Sequence, residues 1–375
     1  MKSTPIFQAT LIVVILMFTS KIRAQESEAV PFFKSPKGIK LVSTDLHIHT
    51  VFSDGAVWPN IRVEEARRER LDLIAMTDHL EYQPHSQDIP HPDRNRSYMV
   101  AMESITPTDN LKVINGSEIT RKMPPGHINA VFIKDANPLL HEKDSLSGIL
   151  AANKQNAFVF WNHPNWDSQR PDGIARLDPF HHYLIENKLL HGIEVVNETT
   201  FSEEALKIAL DHNLTILGTS DIHGLVDWNH DIPNGGHRPM TFVLSEDDSI
   251  ESIKKALFNG KTLVWFNDLI TGKKEHLETV LKTNLTFTSK GYPEDKTILN
   301  ITIRNHSALP IQMQYLGDFS FHKYSDTFLL SANSTLDLQI KTRKKLKQIS
   351  LPFRILNAIP APKEHLETNW KINLN

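Results

Sequence analysis

Five apolar runs spread along the chain each end on or next to residues of the metal-binding type: Asp45-Leu46-His47-Ile48-His49, Asp78-His79, Glu118, His163 and Asp221-Ile222-His223. An open β/α sheet or a β/α barrel gathers the C-terminal ends of its strands on one face. A chain that repeats this arrangement therefore brings residues that are distant in sequence to a single rim. The pattern predicts a polynuclear metal site on an α/β fold.

The rest of the chain sorts around that feature. From Leu41 to about Phe266, strand-like runs alternate with helical patterns, which indicates α/β architecture. Strands are expected at Ile39 to Leu46, Leu71 to Thr77, Leu111 to Ile114, His127 to Ile133, Ala157 to Trp161, Gly192 to Val196, Thr215 to Gly218 and Met240 to Leu244. Ser202 is placed to cap a helix that carries Glu203 and Glu204 in its first turn. Asp248 and Glu251 form a capping-box pattern ahead of a second helix, which Gly260 is placed to end. After about Lys274 no helical period persists, and short alternating runs such as Ile298 to Ile303 and Leu336 to Ile340 predict a small β-sandwich. The expected division is residues 36–274 for the metal-bearing domain and 275–375 for the sandwich.

Residues 1–24 stand apart: Lys2 precedes an apolar stretch from Ile6 to Phe18, and Ala24 suits the position before a cut. This pattern resembles a secretory signal peptide, with an uncleaved anchor as the alternative. The expected location is the periplasm or outside the cell, with no stable membrane span once the leader is removed. The 375 residues contain no Cys, so disulfides, thiolate metal sites and a Cys nucleophile are excluded. The net charge of −3 gives no global electrostatic hold on nucleic acid, and no nucleic-acid partner is expected. Oligomeric state has no signature in the chain.

His-x-His alone is weak, because 19 His in 375 residues produce such a pair about once by chance. At a strand end, however, alternate residues point the same way, so His47 and His49 can hold one ion. Asp54 sits in the turn-forming Ser53-Asp54-Gly55, from which a carboxylate can bend over the mouth. His79 ends a second run, with Asp78 placed to orient a neighbouring imidazole. Glu118 offers a carboxylate that can bridge two cations. His127 opens the next run, and Trp161-Asn162-His163-Pro164 closes another. Asp221 and His223 repeat the strand spacing.

In this order the residues resemble the polymerase and histidinol phosphatase (PHP) superfamily of metallohydrolases over about residues 41–266. The resemblance implies a distorted (β/α)7 barrel with two or three divalent ions, manganese, zinc or iron, at its C-terminal rim. It groups His47, His49, Glu118 and Asp221 around one ion. Glu118, His127 and His163 hold a second, and Asp54, His79 and His223 a third. Some relatives have His where Asp54 stands. The leader and the β-rich tail bring the chain closer to exported phosphodiesterase-like members than to cytoplasmic histidinol phosphatases.

The implied chemistry is hydrolysis of a small phosphate ester, most simply a diester, by a hydroxide held between the metals, with Asp54, Glu118, Asp221 and His223 in catalytic positions. Arg121, His237 and Arg238, with Lys122, are the candidates for gripping phosphate. The polar stretch from Glu81 to Asn95 is expected to form a lid or to be disordered. Two alternatives stay open: an amide, carbamate or ester hydrolase using the same metals, and a non-catalytic exported binding protein.

Overall fold

The computed structural model describes residues 31–141 and 144–374, so the leader lies outside the described residues. The apolar runs fold as strands buried on both faces, as a sheet covered on two sides requires. Strands β1 (Lys40–Asp45), β2 (Leu73–Met76) and β3 (Lys112–Ile119) pair in parallel. Strand β4 (Ile128–Val131) then runs antiparallel to β3 and to β5 (Phe158–Trp161). Strand β6 (Gly192–Asn197) returns to the parallel sense, folds into a hairpin with β7 (Thr200–Phe201) and pairs with β8 (Thr215–Thr219). On the far side of β1, strands β9 (Met240–Ser245), β10 (Thr262–Phe266) and β11 (Leu269–Gly272) are mutually antiparallel. The sheet is thus a curled, mixed α/β sheet, and the reversed strands β4, β9 and β11 are what distort the barrel.

Where a regular barrel would close with a backbone ladder, threonine hydroxyls bridge β8 to β9 and β10. Thr241 Oγ1 donates to the Gly218 carbonyl (2.8 Å) and accepts from the Gly218 N–H (2.9 Å), while Thr262 Oγ1 donates to the Ile216 carbonyl (2.7 Å). Among the described residues the α-helices are α1 (Pro59–Arg68), α2 (Arg96–Glu103), α3 (Ser145–Lys154), α4 (Pro179–Glu186), α5 (Glu203–Asp211), α6 (Val226–Asn229), α7 (Ile250–Phe258) and α8 (Lys274–Asn284). Alternation along the strands divides the core. Val42, Leu73, Ala75, Phe158, Phe160, Leu217 and Val243 gather with Ile253, Ala256 and Leu257 of α7, while Ile74 and Met76 face the opposite cluster.

Ser202 caps α5 as expected, accepting from the Ala205 N–H at 3.1 Å. At α7 the cap is Ser249 rather than Asp248, one residue later than the capping-box pattern placed it. Helix α8 corrects a second expectation. Leu277, Val280, Leu281 and Asn284 are buried at helical spacing where no helical period was expected.

Beyond α8 the chain forms two four-stranded sheets. One comprises β12 (Leu285–Gly291), β13 (Ile298–Asn305), β15 (Ser320–Phe321) and β17 (Thr335–Lys341). The other comprises β14 (Ile311–Tyr315), β16 (Thr327–Leu330), β18 (Gln348–Ile355) and β20 (Leu366–Asn373). Their period-two burial places Ile301, Ile303, Met313, Leu338, Ile340, Leu351 and Phe353 in one apolar core. That core is continuous with Ile74, Met76 and Trp265 of the α/β sheet. Strand β19 (Ala358–Ile359) leaves the sandwich to pair in parallel with β11, which makes it the edge of the larger sheet.

Candidate metal centre

The segment after β1 threads between two others. The His49 N–H donates to the Ile222 carbonyl (3.1 Å), the Asp221 N–H to the His47 carbonyl (2.9 Å) and the Thr77 N–H to the Ile48 carbonyl (3.1 Å). The strand-like alternation therefore continues past Asp45, and both imidazoles face inward with their Nε2 atoms 2.9 Å apart. His127 reaches the same rim from the other direction, because the antiparallel β4 begins where its parallel neighbours end. Glu118 lies within β3 rather than beyond it, since β3 runs on to Ile119.

Asp221 Oδ1 lies 3.1 Å from His47 Nε2 and 3.0 Å from His49 Nε2, and Glu118 Oε2 lies 3.4 and 3.3 Å from the same atoms. The other Glu118 oxygen is 2.8 Å from His127 Nδ1 and 3.6 Å from His163 Nε2. Asp54 Oδ1 is 3.2 Å from His223 Nε2, and its Oδ2 is 3.5 Å from His79 Nε2. Three groups of donors close enough to hold an ion result: His47, His49 and Asp221; His79, Glu118 and His127; and His49, Asp54, His79 and His223. Relative to the expected sets, His79 joins Glu118 and His127, and His49 stands in two groups. His163 falls outside all three.

Two observations test whether this set suits cations. Ligand atoms about 2.1 Å from one ion, at angles of about 90–110°, are separated by about 3.0–3.4 Å. The four atoms around His47 and His49 have such spacings. In addition Asp54 Oδ1, Glu118 Oε2, His127 Nδ1 and Asp221 Oδ1 are buried without a hydrogen-bond partner among the described residues. Buried polar atoms of this kind are costly unless something satisfies them. The residues fit divalent metal ions.

The electrostatics of the cluster point the same way. Burial disfavours charge on His47, yet Asp221, Glu194 and Glu118 outweigh it and raise its pKa well above the ordinary value. Burial opposes charge on His79 and His223 too, but Glu118 and Asp54 raise the first to about 10, and Asp54 and Asp221 raise the second to about 9. His49 goes the other way, to about 4, through burial and the two neighbouring imidazoliums. Burial would raise the carboxyls of Glu118 and Asp221, but the surrounding histidines hold both well below the carboxylate range. The surrounding carboxylates thus favour positive charge at this rim.

Other buried residues aim the ligands. Glu194, in β6, accepts from His47 Nδ1 (2.8 Å), Thr219 Oγ1 (2.6 Å), the His163 N–H (2.6 Å) and Asn197 Nδ2 (2.9 Å). That contact leaves the His47 Nε2 lone pair directed into the cluster. Its sequence signal was a lone acid inside the apolar run Ile193-Glu194-Val195-Val196. Asp78 accepts from the Thr50 N–H (2.7 Å) and Ser53 Oγ (2.7 Å), and Ser53 Oγ lies 3.3 Å from His49 Nδ1. Asp78 therefore orients His49 through Ser53. Arg62, fully buried on α1, donates to the carbonyls of His49 (2.9 Å), Ile222 (3.0 Å), His223 (2.9 Å) and Gly224 (2.7 Å). It clamps two ligand-bearing segments together, and nothing in the sequence announces it. At Gly55 a Cβ would stand 2.7 Å from the Thr50 nitrogen, so only glycine lets the Asp54 turn fold this tightly. His163 (φ 28°) and Asp221 (φ 48°) adopt left-handed backbone, a strained conformation often found where side chains must be aimed.

The expected phosphate-gripping residues lie elsewhere. Arg238 is wholly buried, paired with Asp45 (2.9 Å) and Glu69 (2.6 Å), so it braces the fold and no substrate reaches it. His237 packs against Trp265 at 3.8 Å in a separate groove. Arg121 is held by Glu81 (2.5 Å) and by the carbonyls of Thr120 and His141. The pocket is lined by Asp54, His79, Glu118, His127, His163, Asp221 and His223, together with Trp166, Asn197 and Glu198. The stretch from Glu81 to Asn95 is tied to the segment before Asp54, with His91 Nε2 donating to the Phe52 carbonyl (2.7 Å), and none of its residues is among those lining the pocket.

A family model described as an Ig-like domain matches residues 285–371. The chain aligns with a two-domain protein from Bacteroides vulgatus described as containing a predicted PHP-like metal-dependent phosphoesterase. Identity is 36%, the TM-score is 0.84, and the match covers 91% of this chain and 97% of that one. A candidate metal-dependent phosphoesterase from Bifidobacterium adolescentis aligns at 19% identity and a TM-score of 0.37, covering 48% of this chain and 87% of that one. PsfC from Pseudomonas syringae aligns at 15% identity and a TM-score of 0.42, covering 65% and 97%. No curated protein matches the chain.

Proposed function

This chain belongs to the PHP superfamily, and from that premise we propose that it is an exported metal-dependent phosphodiesterase acting on small phosphate esters. One observation carries the reading. Buried carboxylate and imidazole atoms converge at one rim in three groups, each compact enough to share an ion.

Divalent cations held there would supply Lewis acidity and make water nucleophilic near neutral pH. The protein's own part is positional. His47, His49, Glu118 and Asp221 form one ligand set, and Glu118 extends to a second through His79 and His127. Asp54, His79 and His223, next to His49, form the third. Glu194 and the Ser53–Asp78 pair fix the imidazole tautomers, so the donor atoms are in place before any ligand arrives. Phosphate oxygens would meet metals rather than arginine, because no Arg or Lys lines the pocket among the described residues.

The test is parallel turnover of bis(4-nitrophenyl) phosphate, 4-nitrophenyl phosphate and 4-nitrophenyl acetate by the mature chain loaded with manganese, zinc or iron, with metal content measured on the same sample. Faster hydrolysis of the diester, abolished by chelator, is expected. Hydrolysis of acetate alone would instead support a carboxyl ester hydrolase. Export is proposed from the leader, and fractionation of expressing cells tests it: the protein should appear in the periplasm or medium, shortened at its N-terminus. Among the described residues no helix is long and apolar enough to cross a membrane.

A further inference from the structure

Three residues line the pocket without belonging to the expected metal ligands: Trp166, Asn197 and Glu198. Asn197 already spends its side-chain amide on Glu194 (2.9 Å) and Asp221 (3.2 Å). Trp166 and Glu198 remain to read a substrate. The indole lies 5.5 Å from the His127 ring and 5.2 Å from the His163 ring, and 42% of the residue stays exposed. It is an open aromatic surface beside the reacting centre.

Glu198 opens the two-residue turn between β6 and β7, with a left-handed φ of 48°. Gly, Asn or Asp is the usual choice at such a position, so a glutamate there is an exception that puts a carboxylate at the mouth. Its side chain makes no hydrogen bond or ion pair among the described residues, in contrast to the fully engaged Glu194. A pocket that offers a free carboxylate beside the metal ligands, and no Arg or Lys, is poorly suited to a substrate carrying more negative charge than bound metal ions would neutralise. A phosphomonoester is close to doubly charged at neutral pH, whereas a diester carries one charge.

Resting on the phosphoesterase reading, we propose that Glu198 and Trp166 select a phosphodiester whose retained substituent is uncharged, presents a flat face to Trp166 and donates a hydroxyl to Glu198, as a nucleoside or sugar moiety does. Stacking on an indole tolerates different rings, since every ring has a face. The carboxylate supplies the discrimination, because it accepts a hydroxyl and repels a second anion.

Three substrates with one leaving group test this on metal-loaded protein: thymidine 5′-(4-nitrophenyl phosphate), methyl 4-nitrophenyl phosphate and 4-nitrophenyl phosphate. The wild type should rank them in that order by kcat/KM. Trp166→Ala should raise KM for the nucleoside diester about tenfold and leave the methyl diester unmoved. Trp166→Phe, which keeps a flat ring, should restore most of that loss. Glu198→Gln should shift the ratio of methyl diester to monoester about tenfold toward the monoester and weaken the nucleoside diester. An unmoved ratio in Glu198→Gln, or an equal loss on all three substrates in Trp166→Ala, would overturn the selection. A wild type silent on all three while metal is bound would overturn the phosphoesterase reading itself, and the selection with it.

Discussion

The rim of the α/β sheet and the core of the sandwich are both buried, yet they are built by opposite rules. Around Phe353 the side chains carry no charge and are mostly apolar, packed on Tyr315 (5.4 Å), Phe287 (5.7 Å) and Phe328 (6.0 Å). Around Glu118 they are charged, crowded and left with buried atoms that no hydrogen bond satisfies. The sandwich gains stability from the area it removes from water. The rim spends some of that stability to hold groups that only a ligand can satisfy. Substitutions in the two places should therefore fail in different ways.

The largest effect belongs to the rim. Glu118→Gln should lose bound metal and more than about a hundredfold in activity, beyond what the outer partners of ligands cost, while circular dichroism stays that of the folded chain. Full activity in that variant would reject the shared carboxylate. Phe353→Ala should reverse the pattern, losing about 3–5 kcal/mol in chemical denaturation while the folded fraction keeps its metal content. A loss of metal affinity equal to that of Glu118→Gln would show that the two regions are not separable.

Acid should act through a third kind of residue, the neutral buried imidazole. His181 accepts from the Asp178 N–H (3.1 Å), donates to the Pro125 carbonyl (2.7 Å) and stacks on Trp161 (4.0 Å). Burial lowers its pKa from 6.5 to about 4. Between those values the unfolded chain binds the extra proton, so stability falls as pH drops from about 6.5 to about 4, by roughly 3 kcal/mol from this residue. Denaturation midpoints across that range measure it, and His181→Phe should flatten the slope. An unchanged slope would assign the acid lability to His49, His191 and His230, whose pKa values burial also lowers to about 4. The smallest effect is the finest test of the rim. Glu194→Gln should weaken metal binding about 10–100-fold in a chelator competition, and a smaller change would mean that Thr219 and Asn197 hold the site unaided.

Much of this was legible in the chain, for a physical reason. The residues that end strands are fixed in place by strand periodicity, so His47, His49, His79, Glu118, Asp221 and His223 could be brought to one rim from spacing alone. Residues that act through long side chains were not legible. Arg62 lies on a helix whose pattern gives no hint that its guanidinium binds four carbonyls. Arg238 looked like a phosphate ligand because basic residues beside a site strand often are, but burial and the pairing with Asp45 and Glu69 give it a different task. The grouping of His79 with Glu118 and His127 depends on the strand reversal at β4, which spacing does not encode. Helix α8 was hidden by its polar face, with Leu277, Val280, Leu281 and the polar Asn284 turned inward.

Strand β19 carries a practical consequence. Its hydrogen bonds to β11, the Ile270 N–H to the Asn357 carbonyl at 2.9 Å and Thr271 Oγ1 to the Ile359 carbonyl at 2.7 Å, cover the outer side of β11. A fragment cut after the metal-bearing region would keep every ligand and yet present β11 to solvent with its backbone groups open. Such an edge recruits other chains. The fragment's first symptom would be precipitation rather than lost catalysis.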